Sequence, residues 1–485
     1  MSTPSGNKVY AYVWFDVEDY VSPASNDVPL QAIKILKKYN VPITMKLVAE
    51  KVRFMKEQNR QDVISAIQEY CDVGYHTDTH SRHPMVFEYI RNKDVAKGAE
   101  DIEKREQLGL QELHNTFGKT PSCFGHAGTQ WAPHYYPYLK KSGIPVYLDA
   151  TDVVNIDDSP YWYCGVLSLN NQTKNMIKFD RSFETPEGNQ KLKEKFESIH
   201  NRLSEKRGGG AISILWHPHT GINKVYWDAL NFSNGKNTPK EKYVIPEQYS
   251  SEIKERALRD FEELIRFASS FADVKFITGT DAPKVYSRNP ERELSLSEIR
   301  EIATKIANSN KISFFKLADE YISPSQAFCA LVNFLAGYSK SKELPERTAM
   351  SEPLGPMAPF KSKAKSSKLP LTRLLAACGQ ASKFIADKGC MPSSLKIGAI
   401  AEFAPSDFLA TIAAVVKSLA SEKKAVSETV PLRRARMILE EKYVDEKAFK
   451  TACAWGILPK GFKAPKILEQ AKLQTWTLVP AESRN

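Results

Sequence analysis

Val9-Tyr-Ala-Tyr-Val-Trp-Phe-Asp16 is an apolar and aromatic run that ends on a carboxylate, and its reading decides the fold. Residues 9–16 form a strand by their β-branched and aromatic content. Strands of the same kind are predicted at 42–47, 73–76, 122–126, 145–150, 211–217 and 274–278. Between several of them, at 29–39, 61–70, 94–116 and 251–271, apolar residues recur every three or four positions, the spacing of a helix with one buried face. Alternation of strand and helix predicts a mainly parallel sheet, and about seven repeats predict a closed or nearly closed barrel. The predicted strands finish at or beside Asp16, His76, His126, Asp149 and His217. Barrels of this class gather their reactive side chains at that end.

The chain has 485 residues, more than one ordinary core, so two or more domains are expected. Hydrophobic residues at 42% and charged residues at 26% are ordinary for globular proteins and exclude a disordered chain. No apolar run approaches the roughly 18 residues of a membrane span. The opening Met1-Ser-Thr-Pro-Ser-Gly-Asn-Lys8 lacks the character of a leader and runs directly into the first strand, so a cytoplasmic protein is expected. Seven scattered cysteines without a C-x-x-C pair argue against a disulfide framework or a thiolate zinc site and read as mostly buried thiols.

After Lys284 the pattern becomes helical only. Leu294-Ser-Leu-Ser-Glu-Ile-Arg-Glu-Ile-Ala303 shares its apolar spacing with Leu369-Pro-Leu-Thr-Arg-Leu-Leu-Ala-Ala-Cys378, and Ile322-Ser-Pro-Ser-Gln326 matches Phe403-Ala-Pro-Ser-Asp407. Two copies of one helical unit are predicted, with Pro324 and Pro405 in first helical turns, Ser323 and Gln326 as a capping box, and 356–370 as the linker. The resulting division is a barrel over 1–288, helical repeats over 289–358 and 359–430, and a basic helical extension over 431–485 whose segment 474–480 packs back on the body. Net charge is +11, and residues 361–485 carry 22 Lys and Arg against 11 Asp and Glu, so the basic character belongs to the C-terminal part. That part is expected to be separable from the barrel, to stay out of the active site, and to attract an anionic polymer or cell-envelope component.

His76-Thr-Asp-Thr-His80 spaces two imidazoles so that a turn or compact loop lets both meet one ion, and imidazole suits zinc and related divalent metals. Phe15-Asp-Val-Glu-Asp19 puts Asp16 and Glu18 on one side of the strand by alternation, so that one can bind metal while the other handles protons. Ile214-Leu-Trp-His-Pro-His-Thr-Gly221 ends an apolar strand on His217 and His219. A histidine in that place can serve as general acid toward an amine leaving group.

These three segments resemble, in order and spacing, the first, second and last motifs of the polysaccharide deacetylase (NodB-homology) family, over about residues 8–285. The resemblance implies a distorted (β/α) barrel and removal of N-acetyl groups from amino sugars. It further implies Asp16 as catalytic base, His76 and His80 as metal ligands and His217 as general acid. Where the family has adjacent aspartates, this chain reads Asp16-Val-Glu18-Asp19, so Glu18 or Asp19 would supply the carboxylate ligand, and alternation favours Glu18. A family arginine that orients the base is missing, because Phe124-Gly-His-Ala-Gly128 stands at the third motif; His126 is the candidate to fill its place. In the C-terminal part, Phe384-Ile-Ala-Asp-Lys-Gly-Cys-Met-Pro392 and Phe408-Leu-Ala410 resemble pseudomurein-binding-type helical repeats.

The expectation is thus an α/β barrel followed by an all-α region, acting as a metal-dependent amidase or deacetylase on carbon–nitrogen bonds other than peptide bonds. The ion is a divalent metal, with Zn2+ foremost. The substrate is a carbohydrate or glycoconjugate in the first reading and a small linear or cyclic amide in the second; a third reading keeps the barrel as a non-catalytic carbohydrate-binding scaffold. No specific nucleic-acid partner is expected, and a homo-oligomer is compatible with the sequence.

Overall fold

The computed structural model describes residues 8–169, 173–206, 210–420 and 427–483; the leading residues 1–7 lie outside them. Ten strands occupy the first part of the chain: β1 (Val9–Val17), β2 (Ile43–Leu47), β3 (Asp72–Tyr75), β4 (Cys123–Phe124), β5 (Val146–Tyr147), β6 (Tyr161–Tyr163), β7 (Val166–Ser168), β8 (Met176–Lys178), β9 (Gly210–Trp216) and β10 (Val274–Phe276). They join one curled sheet in the order β6-β7-β5-β4-β3-β2-β1-β9-β8, with β10 alongside the start of β1. All these pairings are parallel except β6 with β7. The sheet with its flanking helices is a distorted (β/α) barrel, as expected.

Every residue of β1 is buried, and its two faces enter different cores. Val9, Ala11, Val13 and Phe15 pack outward with helix residues such as Leu36, Ile67 and Phe261. Tyr10, Tyr12 and Trp14 pack inward with Val146, Leu148, Leu167 and Leu215, filling the barrel. The period of two therefore carries Asp16 and Glu18 onto the inward side, at the strand's C-terminal end. Helices Asp27–Lys38, Gln61–Tyr70, Val95–Phe117 and Ser251–Ala268 form where the 3.6-residue periodicity predicts them.

All seven predicted strands are present. β6, β7 and β8 lie outside the predicted strands, between Val146–Tyr147 and Gly210–Trp216. β6 and β7 form a hairpin through Cys164 and Gly165, both at positive φ (48° and 78°), the two-residue turn geometry that suits twisted strands. A Cys-Gly pair is not the Asn-Gly or Asp-Gly that announces such a turn.

Beyond residue 290 the helices Leu296–Ala307, Pro324–Ser341, Leu371–Lys388 and Pro405–Leu419 dominate. Ser323 and Gln326 form the capping box, and Pro324 and Pro405 stand in first turns. Each copy also carries short ladders absent from the sequence reading: Arg292–Ser295 with Arg347–Met350, and Lys368–Pro370 with Thr429–Pro431. A hairpin lies within each copy. The first helix of each copy packs on the second helix of the other, so the copies interlock.

The last part of the chain departs from the expected separable extension. Val479–Pro480 adds an antiparallel strand to β6, and Ala481 enters the barrel's inner core. Gln470 Oε1 accepts from the Val95 backbone N–H at 3.0 Å, and Trp476 and Leu478 are buried in the same core as the barrel helices. No helix of the described residues is long and apolar enough to cross a membrane. Six of the seven cysteines are buried and Cys453 is half-buried, all as free thiols.

Candidate metal centre

The strand ends place the chemistry. Register sets Asp16 beside Lys46 on β2, and Lys46 beside Gly74 on β3. His76 follows β3, Gly125 and His126 follow β4, Asp149 lies just past β5, and His217 follows β9. The segment from His76 to His80 is a loop rather than a helix. Thr77 and His80 sit at φ 67° and 56°, left-handed positions that side chains tolerate only where the surroundings enforce them. The bend brings the two imidazole rings to 5.0 Å between centroids.

Donor atoms of Glu18, His76 and His80 lie within 4.8 Å of one another, and all three side chains are buried. Glu18 divides its oxygens: Oε1 accepts from His219 Nε2 at 3.1 Å and Trp227 Nε1 at 3.4 Å, while Oε2 faces His80 Nε2 at 2.9 Å and His76 Nε2 at 3.5 Å. Neither His76 Nε2 nor His80 Nε2 makes a hydrogen bond, although both are out of contact with solvent. Buried ring nitrogens without partners are costly unless a cation takes their lone pairs.

The far sides of the rings fix the tautomers that a metal requires. His76 Nδ1 donates to the Gly125 carbonyl at 3.1 Å. Ser81 donates its hydroxyl proton to Asp228 at 2.9 Å, so it can only accept from His80 Nδ1, 2.7 Å away. Both Nε2 atoms are thereby left as acceptors, the arrangement that orients histidine ligands. Burial alone would raise the Glu18 carboxyl, but the imidazoles, His80 foremost, hold it well below its ordinary value. Burial pulls His80 down and Glu18 more than restores it, so the ring sits above the usual histidine value. A proton on His80 and a divalent ion are alternative partners for the same carboxylate, and the donor set fits such an ion.

Beside these three stand the groups that can move protons, with Asp16 Oδ1 3.9 Å from His76 Nε2. Asp16 Oδ2 lies 3.5 Å from His217 Nε2. His217 Nδ1 donates to Asp180 Oδ2 at 2.7 Å, and its backbone N–H donates to Oδ1 at 2.8 Å. Burial opposes a charged imidazole, yet Asp180 pushes His217 up to about 9; burial likewise opposes the Asp180 carboxylate, which His217 holds down at about 2. The pair is therefore imidazolium and carboxylate at neutral pH.

With the geometry in place, the chain can be set beside known proteins. No protein-family model matches it, and no curated protein does. Its likeness among solved structures is to polysaccharide deacetylases. A Mycobacterium smegmatis protein assigned as one is 16% identical, over 58% of this chain and 91% of that one, with a TM-score of 0.37. Peptidoglycan deacetylase PdaC from Bacillus subtilis is 12% identical, over 58% and 93%, with a TM-score of 0.30. An allantoinase is 12% identical, over 57% and 90%, with a TM-score of 0.37.

The two further candidates, Asp19 and His126, stand apart from the donor set. Asp19 does not reach the imidazoles: its carboxylate accepts from the backbone N–H groups of Val21 and Ser22 at 2.8 and 3.0 Å and from Asn223 Nδ2 at 2.9 Å, tying down the loop after β1. Nor does His126 orient Asp16. Lys46 Nζ does, at 2.9 Å, while it also lies 3.3 Å from Asp149 Oδ2. His126 stands one step behind, its Nδ1 3.2 Å from Asp149 and 2.9 Å from the Tyr147 hydroxyl, and burial pushes it down to about 4.

Lys46, Asp180 and Trp455 were missed as members of the site. Lys46 crosses the sheet because Gly74 and Gly125 leave room; a Cβ at Gly125 would overlap its Nζ, and one at Gly74 would lie 2.8 Å from its Cγ. Its ammonium also sits 4.2 Å from the Trp14 ring centroid. Trp455, with Gly456 and Ile457, lines the cleft from the C-terminal end of the chain.

Proposed function

We propose that the chain is a metal-dependent hydrolase that cleaves an N-acyl amide, releasing an N-acetyl group from a carbohydrate or glycoconjugate. The observation that carries this reading is the convergence of two sets of groups in one cleft of about 530 Å³: Glu18, His76 and His80, and beside them Asp16 with the His217–Asp180 pair, Asp16 lying 3.9 Å from His76 Nε2 and 3.5 Å from His217 Nε2. Such a volume suits a small ligand.

In this reading Glu18, His76 and His80 hold the ion, for which Zn2+ is the expectation from the nitrogen and oxygen donors. When bound, a divalent ion there would supply Lewis acidity toward a carbonyl and a water. Asp16, fixed by Lys46, accepts a proton from the attacking water. His217, kept protonated by Asp180, gives one to the departing nitrogen. A carbon–oxygen bond forms and the carbon–nitrogen bond breaks, so water and amide become carboxylate and amine. Asp228, through Ser81, and His219 act by positioning: the first fixes the His80 tautomer, and the second leaves Glu18 Oε2 free for the ion.

The test is elemental analysis of the purified protein followed by measurement of acetate released from N-acetylglucosamine and its oligomers. Bound divalent metal with acetate release supports the reading. Bound metal with turnover only of cyclic imides or ureides would move it to small amides, and a metal-free protein that binds glycans would make it a scaffold.

A further inference from the structure

The catalytic cleft is lined on one side by residues more than 220 positions away in sequence from the rest of its lining. Trp455, Gly456 and Ile457 form that side, and backbone contacts anchor them. Thr129 Oγ1 donates to the Ala452 carbonyl at 2.9 Å, and the N–H groups of Asn234 and Gly235 donate to the carbonyls of Gly456 and Ile457, both at 3.0 Å. Gly128 takes φ 56° and lies flat against the Trp455 indole, where a Cβ would overlap the ring. The indole reaches to 6.0 Å from the His80 ring centroid, edge to face. The segment therefore bridges the loop after β4 and the 233–235 turn as a packed wall.

A wall in that place bears on which amide can enter. An interior unit of a polymer needs an exit from the cleft on each side, because the chain continues in both directions. A free sugar, or the last unit of a chain, needs one. Resting on the N-acyl hydrolase reading above, we propose that Trp455 and its neighbours restrict the enzyme to a single N-acyl amino sugar or the terminal unit of an oligomer. Trp455 is then a specificity-determining residue: its indole is the surface on which the ring of that unit is stopped and packed, a use for which a flat apolar face is suited.

The experiment compares wild type, Trp455→Ala and Trp455→Phe, each as the full chain loaded with metal, on N-acetylglucosamine and its tetramer, with deacetylated positions mapped by mass spectrometry. Wild type is expected to open only a terminal unit of the tetramer. Trp455→Ala is expected to raise the tetramer-to-monomer ratio of kcat/KM on the order of tenfold and to reach interior units, since losing one apolar contact surface changes discrimination by about that factor. Trp455→Phe should keep the wild-type pattern. Interior deacetylation by wild type overturns the proposal, as does an unchanged ratio in folded Trp455→Ala. If Trp455→Ala does not fold, the wild-type product pattern decides. A metal-loaded wild type that releases acetate from neither sugar removes the substrate reading itself, and this inference with it.

Discussion

Lys46 Nζ lies between two buried carboxylates, 2.9 Å from Asp16 and 3.3 Å from Asp149, and is itself fully enclosed. Burial opposes its charge, but Asp149 and Asp16 together raise its pKa, so the ammonium persists. Lys46→Met leaves two carboxylates without their cation. We expect a loss of about 3–5 kcal/mol in denaturant unfolding, the range for breaking a buried ion pair from one side. Turnover should fall while the Glu18, His76 and His80 donors, which Lys46 does not touch, still take up metal. A stable and fully active Lys46→Met would show that Asp16 needs no such partner.

Metal content separates the candidate carboxylates. His76→Ala, His80→Ala and Glu18→Gln should each lose the ion by elemental analysis and keep a cooperative thermal transition, because all three stand at the rim rather than in the apolar core. Asp19→Asn should keep the ion and lose about 1–3 kcal/mol through its buried loop contacts. Metal loss in Asp19→Asn with retention in Glu18→Gln would reverse the assignment.

The pH profile follows from His217 and Asp180. His217 must carry a proton to act as acid, and its pKa stands at about 9, so turnover should decline as pH rises past that value. Asp180→Asn removes the carboxylate that raises it, and the declining limb should move toward the ordinary histidine value of about 6.5. The pair's contribution to stability follows the same shifts. The His217 part is complete below about pH 6.5 and lost as pH rises through its folded value, and the Asp180 part is complete above about pH 4 and lost as pH falls through its own. His217→Ala should retain metal and lose turnover; loss of metal would make His217 a ligand.

A chain ending at residue 290 should be insoluble or inactive, contrary to what helical periodicity and charge alone suggest. It would uncover the apolar surface that Trp476, Leu478 and Ala481 bury and would open the side of the cleft that Trp455 closes. Supplying residues 291–485 as a second chain should restore solubility. A soluble, metal-loaded 1–290 that turns over monomer as wild type does, and also opens the interior tetramer units that wild type does not, would leave the C-terminal part only its wall.

The features legible in sequence are those whose signal is local. β1 declares itself by eight successive residues, His76 and His80 by their spacing, and Ser323 with Gln326 by a cap that spans one turn. Alternation along β1 favours Glu18 over Asp19, and Glu18 is the one that faces the imidazoles. The residues that were missed act across distance. Lys46 within Ile43-Thr-Met-Lys-Leu47 looks like an ordinary polar position, and only Gly74 on β3 and Gly125 just after β4 reveal that it runs through the barrel. Asp180 reaches His217 across the β8–β9 pair, and Trp455 meets the cleft through tertiary packing that no nearby residue announces.

The strand Val479–Pro480 gives this protein an order of assembly. β6 leaves the ribosome with its outer edge bare, and its partner follows roughly 300 residues later, on the order of tens of seconds at ordinary elongation rates. Through that interval the nascent sheet offers an unpaired edge, the feature most prone to recruit another chain. The Trp455 wall is also still unmade. A polypeptide that stops short of residues 455–480 thus keeps a bare sheet edge and an incomplete cleft, so synthesis of that segment separates a barrel open to edge-to-edge pairing from one with its cleft finished.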